Sequence, residues 1–214
     1  MADLNPLLEE DEVARAAREE AHACAALLRK ASPVPNIAYP ILRAIWDRRL
    51  FPMVPVELFV LDRSVESIRT LDDLRVAIVY RNDPDYPDCW THPGGYLGGS
   101  ERIADAAKRV AKRELGVEVV DPYVVSPTNF PRHPRDHEMS VMVVASLATG
   151  FTAKDVERRD GVHFCPFTDL PTNLLPQHQE LQARLVRWLS LLIEMPQYLR
   201  ADFLNFAKPF DSER

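Results

Sequence analysis

The residues of this chain that could do chemistry cluster in one stretch, WTHPGGYLGGSERIADAAKRVAKRELGV, residues 90–117. Gly95, Glu101, Arg109, Glu114 and Gly116 join a glycine-rich turn to a helix. Such a turn lets backbone carbonyls approach a hard cation, and a following helix can aim carboxylates at the same point. Positions 110 and 114 are four apart and share a helix face. Here that face carries Val110 and Glu114, with the cationic Arg113 beside the carboxylate. The expected chemistry is the holding of a hard cation.

The stretch resembles the Nudix box, G-x5-E-x7-R-E-U-x-E-E-x-G-U with U a bulky aliphatic residue. Gly95, Glu101, Arg109, Glu114, Gly116 and Val117 fill their places, and Trp90, Pro93 and Gly94 match the usual preceding Trp-x-x-Pro-Gly. Val110 and Arg113 replace two glutamates, and Ala111 stands for a larger aliphatic. The resemblance implies an α/β/α sandwich with a mixed sheet. It also implies magnesium or manganese as cofactor, and hydrolysis of a nucleoside diphosphate linked to another moiety. The lost carboxylates reduce the expected metal load to one weakly held ion.

The same erosion is found in the GDP-mannose mannosyl hydrolase branch, which the chain resembles and which points to a nucleotide sugar. On that likeness Gly94 and Glu114 hold the metal and Arg81 binds the diphosphate. Glu57 would lie near the sugar, and Tyr96 stands where the branch has a phosphate-binding arginine. The branch's later glutamine and histidine fall on Arg158 and Arg159, so the third metal ligand and the base do not carry over. The base is expected instead from the Asp136–Glu138 loop, with His137 at its centre, or from Asp160. Glu101 and Arg109 are expected to hold the box in shape. The rival reading, favoured by the two lost glutamates, is a Nudix-fold nucleotide-binding or regulatory module that cleaves nothing.

Other elements must position these residues. Val54–Leu61, Leu74–Arg81, Val117–Ser126, Met139–Leu147 and Gly161–Phe167 are rich in β-branched and aromatic residues and are expected as strands. The proline- and charge-rich PTNFPRHPRDHE between two of them reads as a loop. A helix is expected over Glu101–Leu115, capped by Ser100 and closed by Gly116, and another over Gln177–Glu194. Residues 1–52 read as a helical arm and 53–214 as the Nudix domain with its C-terminal helix. The amphipathic spacing from Val13 to Leu28 suits a homodimer contact.

A hydrophobic content of 46% supports a sizeable core. The net charge of -6 argues against nucleic acid or an anionic membrane as partner; the partner that the resemblance implies is a small-molecule nucleotide diphosphate. Three scattered cysteines and an acidic N-terminus give the expectation of a reducing compartment, the cytoplasm.

Overall fold

The computed structural model of the protein describes residues 54–98, 101–133 and 136–209, the side chains of 131–137 excepted, together with Ala23 and Ala26, which are helical. The rest of the arm expected over residues 1–52 lies outside these residues, and so does the homodimer contact expected of it. The chain divides into units 1–50 and 51–214, and the second stands here by itself.

Seven strands form a mixed sheet: β1 Pro55–Leu61, β2 Arg75–Asp83, β3 Tyr86–Thr91, β4 Gly94–Tyr96, β5 Val119–His133, β6 Asp136–Leu147 and β7 Val162–Pro166. Their order is β3-β2-β1-β6-β5, with β4 on β1 and β7 on β2. Only the β1–β6 pairing is parallel, in a register that sets Val56 beside Val141 and Leu61 beside Ser146. The helices are α1 Ile103–Val110, continued by a π-helical turn over Ala111–Leu115, then α2 Ala153–Glu157, α3 Pro176–Glu194 and α4 Gln197–Ala207. None of the described helices is long and apolar enough to cross a membrane.

β1 is buried along its whole length because both its faces are covered. Val56, Leu58 and Val60 point to one face and pack with Ala106, Ala107 and Val110 of α1. Phe59 and Leu61 point to the other, toward Leu185, Trp188 and Leu189 of α3. The period of two puts Glu57 on the same face as Phe59, at the strand's entry. That face is the α3 side, and Glu57 is the polar residue at its end.

Two expectations change, and two helices are added to them. PTNFPRHPRDHE is not a loop: β5 runs to His133 and β6 starts at Asp136, so the two form one long hairpin. Prolines are tolerated because β5 is an edge strand, where one row of N–H groups needs no partner. Ser100 lies outside the described residues, and the position preceding α1 is Arg102, which makes no side-chain cap bond. The short α2 and the closing α4 were not expected; α2 is fixed by a capping box between Thr152 and Asp155. Gly116 ends the π turn at φ 74°, a left-handed conformation that a side chain would strain.

Candidate functional site

The glycine-rich turn is held from two sides. Toward the sheet, Leu58 N donates to Pro93 O at 2.8 Å, and Leu97 N donates to Val54 O at 3.0 Å. Toward the helix, Arg109 forks onto Glu101, Nε to Oε1 at 2.6 Å and Nη2 to Oε2 at 2.7 Å. Each partner then grips the turn: Arg109 Nη2 donates to Tyr96 O at 2.9 Å, and Glu101 Oε2 accepts Gly98 N at 2.8 Å. The Arg109 guanidinium, against the opposing cost of burial, holds the Glu101 carboxyl below the ordinary carboxylate range. Glu101 and Arg109 thus brace the loop and are not themselves among the residues that line the pocket.

Glu114, in the π-helical turn that continues α1, faces the glycine turn. Its Oε2 accepts Gly94 N at 3.2 Å, and its Oε1 accepts Arg113 Nη2 at 2.6 Å. Arg81 Nη2, coming from β2, lies 3.8 Å from the same Oε1. Arg81 also approaches Asp83 at 3.9 Å, and its guanidinium carbon lies 5.5 Å from the centre of the Tyr86 ring. Arg113 Nη2 donates a second bond to Gly94 O at 2.7 Å.

Below lies a pocket of about 50 Å³, lined among others by Glu57, Arg81, Gly94, Tyr96, Glu138 and His178. Its buried end is polar. His92 N donates to His178 Nδ1 at 2.9 Å, so Nδ1 is the unprotonated nitrogen and Nε2 carries the ring hydrogen. That Nε2 faces Glu57 Oε2 at 3.7 Å. Tyr96 donates its hydroxyl to Glu138 Oε1 at 2.8 Å. A Cβ on Gly94 would fall on the Glu57 carboxylate, so glycine here lets the turn lie against that side chain. The His92 ring packs between Phe59 and His178, with centroids at 4.0 and 5.6 Å, and neither of its ring nitrogens is hydrogen-bonded. Burial pushes its pKa down to about 3, opposed by a contact with the Ala77 backbone that falls short of hydrogen-bond geometry.

The structure therefore brings together Glu57, Arg81, Gly94, Gly95 and Tyr96 as pocket lining, with Glu114 behind Gly94. Asp160, expected as a base, is an exposed turn residue outside that lining, because the tight turn into β7 points it to solvent. The His137 side chain lies outside the described residues. Arg158 is exposed and pairs with Asp155 at 3.1 Å. Glu138, the end of the segment expected to give the base, lines the pocket from a strand and not from a loop, and His178 is a lining residue that local reading misses. Glu138 is buried in alternation with exposed Met139 and buried Ser140, the pattern of a half-covered strand. His178 opens a helix that reads as core, and only the chain crossing places it under Glu57. Cys89 is a buried thiol whose pKa burial pushes up, the environment of a packed side chain.

The expected magnesium or manganese ion does not fit these residues. The resemblance assigns the Gly94 carbonyl and the Glu114 carboxylate to it, and Gly94 O and Glu114 Oε1 both accept from one guanidinium nitrogen. Among the described residues no three His, Cys, Asp or Glu side chains converge at metal-ligand spacing.

A model of the NUDIX domain matches residues 61–189. No curated protein matches the chain. A MutT/nudix family protein from Enterococcus faecalis superposes with a TM-score of 0.50 at 19% identity, over 77% of this chain and 78% of that one. Shewanella oneidensis NrtR does so with a TM-score of 0.53 at 15% identity, over 75% and 80%. NrtR complexed with a 27mer DNA gives 0.52 at 16% identity, over 74% and 78%. Identities this low establish a shared fold. They lend no support to the narrower likeness to the GDP-mannose mannosyl hydrolase branch. They also correct the partner expectation drawn from net charge: this fold occurs in complex with DNA, so an acidic total does not exclude nucleic acid.

Proposed function

Because the chain belongs to the NUDIX domain family, we propose that its pocket binds a nucleoside diphosphate carrying a further group and does not cleave it through a metal-bound water. Hydrolysis is the family's general activity, and it draws on paired carboxylates that this chain lacks. The observation that carries the reading is Val110. It is fully buried in the α1 face of the core, and a Cβ on Gly95 would meet its methyl group at 3.3 Å. Apolar packing fills the place beneath the glycine turn where the box would present a second carboxylate.

The pocket's size and polarity indicate the pose. About 50 Å³ is too small for a whole nucleotide, so in this reading the diphosphate lies across the mouth. There Arg81 offers a planar fork to two phosphate oxygens, a geometry lysine does not reproduce. Inside, the carboxylates of Glu57 and Glu138 accept hydrogen bonds from hydroxyl or amino groups of the inserted moiety.

Calorimetric titration with ADP, GDP and their sugar conjugates, with products followed chromatographically in magnesium, tests this. The expected result is saturable binding without turnover. Arg81→Lys should lower affinity by about tenfold, since a charge-assisted contact contributes roughly 1.5–3 kcal/mol and 1.4 kcal/mol is a factor of ten. Turnover that requires both magnesium and Glu114 refutes the reading, as does the absence of any binding. The Glu57–His178 pair favours a second reading, metal-independent hydrolysis with Glu57 as base. Turnover that survives chelation and is lost in Glu57→Gln would select it.

A further inference from the structure

We infer that Arg113 occupies the seat of the divalent ion and is itself the cation of the site, so that the pocket takes its diphosphate ligand without metal. This rests on the binding reading above and names the group that neutralises the ligand. Arg113 Nη2 spends its two hydrogens on Gly94 O at 2.7 Å and Glu114 Oε1 at 2.6 Å. A magnesium ion bonds oxygen at about 2.0–2.1 Å, and one shared by those two oxygens would overlap that nitrogen. The ion would also lie against a second positive charge, since Arg81 Nη2 is 3.8 Å from Glu114 Oε1.

The substitution preserves what a metal supplies structurally. One positive centre links the turn's carbonyl to the helix's carboxylate, and Gly95 lies directly beneath, where a Cβ would come within 2.8 Å of Nη2. A guanidinium has five N–H donors in a fixed fork, and Nε and Nη1 of Arg113 make no hydrogen bond among the described residues. The side chain is half exposed, at 50%, so solvent and a ligand reach part of it. Together with Arg81 it forms a pair of guanidinium forks flanking one carboxylate, which suits an anion of two or more charges. Glu114 then acts as the anchor of Arg113 and as a positioning residue rather than a metal ligand.

Two measurements on the full chain test this. The first is titration with Mn²⁺ alone, followed by its electron paramagnetic resonance signal. Wild type should show no saturable uptake up to about millimolar concentration, whereas Arg113→Glu, which restores the box carboxylate, should bind Mn²⁺ at least about tenfold more tightly. Adding Glu114→Gln to that variant should abolish uptake. The second is titration with ADP and GDP, in EDTA and in magnesium. Wild-type affinity should change by less than about twofold between the two, and Arg113→Ala should lose about tenfold. Circular dichroism of each variant confirms that the exposed substitution leaves the fold intact.

Glu114-dependent Mn²⁺ uptake by wild type overturns the inference, as does nucleotide binding that appears only with magnesium. The same holds if Arg113→Glu takes up no Mn²⁺. Should neither nucleotide bind under any condition, the binding reading falls, and the Mn²⁺ comparison still decides who holds the seat.

Discussion

Consider the removal of the brace that shapes the glycine turn, by Glu101→Gln, Arg109→Met and the two together. Two charge-assisted bonds link the pair, at 2.6 and 2.7 Å, and each partner makes one further bond to the turn. Bonds to charged groups contribute roughly 1.5–3 kcal/mol each when shielded. Glu101 is well covered, at 16% exposure, but Arg109 is 36% exposed, so solvent screens the pair. A coupling energy of about 2 kcal/mol results, within the range measured for contacting side chains. Urea unfolding of wild type, both single variants and the double variant at pH 7 yields this coupling directly. Because the lowered Glu101 pKa stabilises the fold only while the carboxyl is ionised, the coupling should be complete above the ordinary glutamate range. It should fade as pH falls through the folded-state value. A coupling below about 0.5 kcal/mol at pH 7 would mean the two side chains act independently, and the brace would be a surface ion pair only.

Two further outcomes follow from buried or strained positions. The ring of His92 stays neutral in the fold, with its pKa down at about 3, while the unfolded chain takes a proton near 6.5. Stability from this residue is complete above pH 6.5 and falls by about 1.4 kcal/mol per pH unit as pH drops through the window between those values. His92→Phe should flatten that acid limb in urea midpoints at pH 7, 6 and 5, and equal slopes would refute the assignment. Gly116→Ala should cost about 1–2 kcal/mol because φ is 74°, with Gly116→Asn costing less. Thermal unfolding that ranks alanine at or above asparagine would contradict it.

The glycine turn and α1 are legible in the sequence because their signal is local spacing: Gly95, Glu101, Arg109, Glu114 and Gly116 lie within one continuous stretch. The strands are legible from their β-branched runs. The hairpin β5–β6 is not, since Pro127, Pro131 and Pro134 read as breakers unless the strand is known to be an edge. Arg113 reads in sequence as a cation beside Glu114, but its bond to the Gly94 carbonyl depends on how the turn meets the π-helical end of the helix. The polar end of the pocket is the least legible part. Glu57, Glu138 and His178 come from β1, β6 and α3, and nothing local couples them.

The parallel pairing of β1 with β6 has a consequence for how the molecule reaches this state. Val56 meets Val141 only after most of the domain has been made, and all of β2, β3, β4, α1 and β5 lies between them. Pairings of such long sequence separation form late and slow the overall rate, because chain closure costs entropy before any contact offsets it. During synthesis the glycine turn and its helix can form while β1 still lacks its central neighbour, an apolar strand open along one edge. His178 emerges later still. The pocket is therefore assembled last, and a chain cut before α3 would carry the whole box motif yet bring no His178 to Glu57.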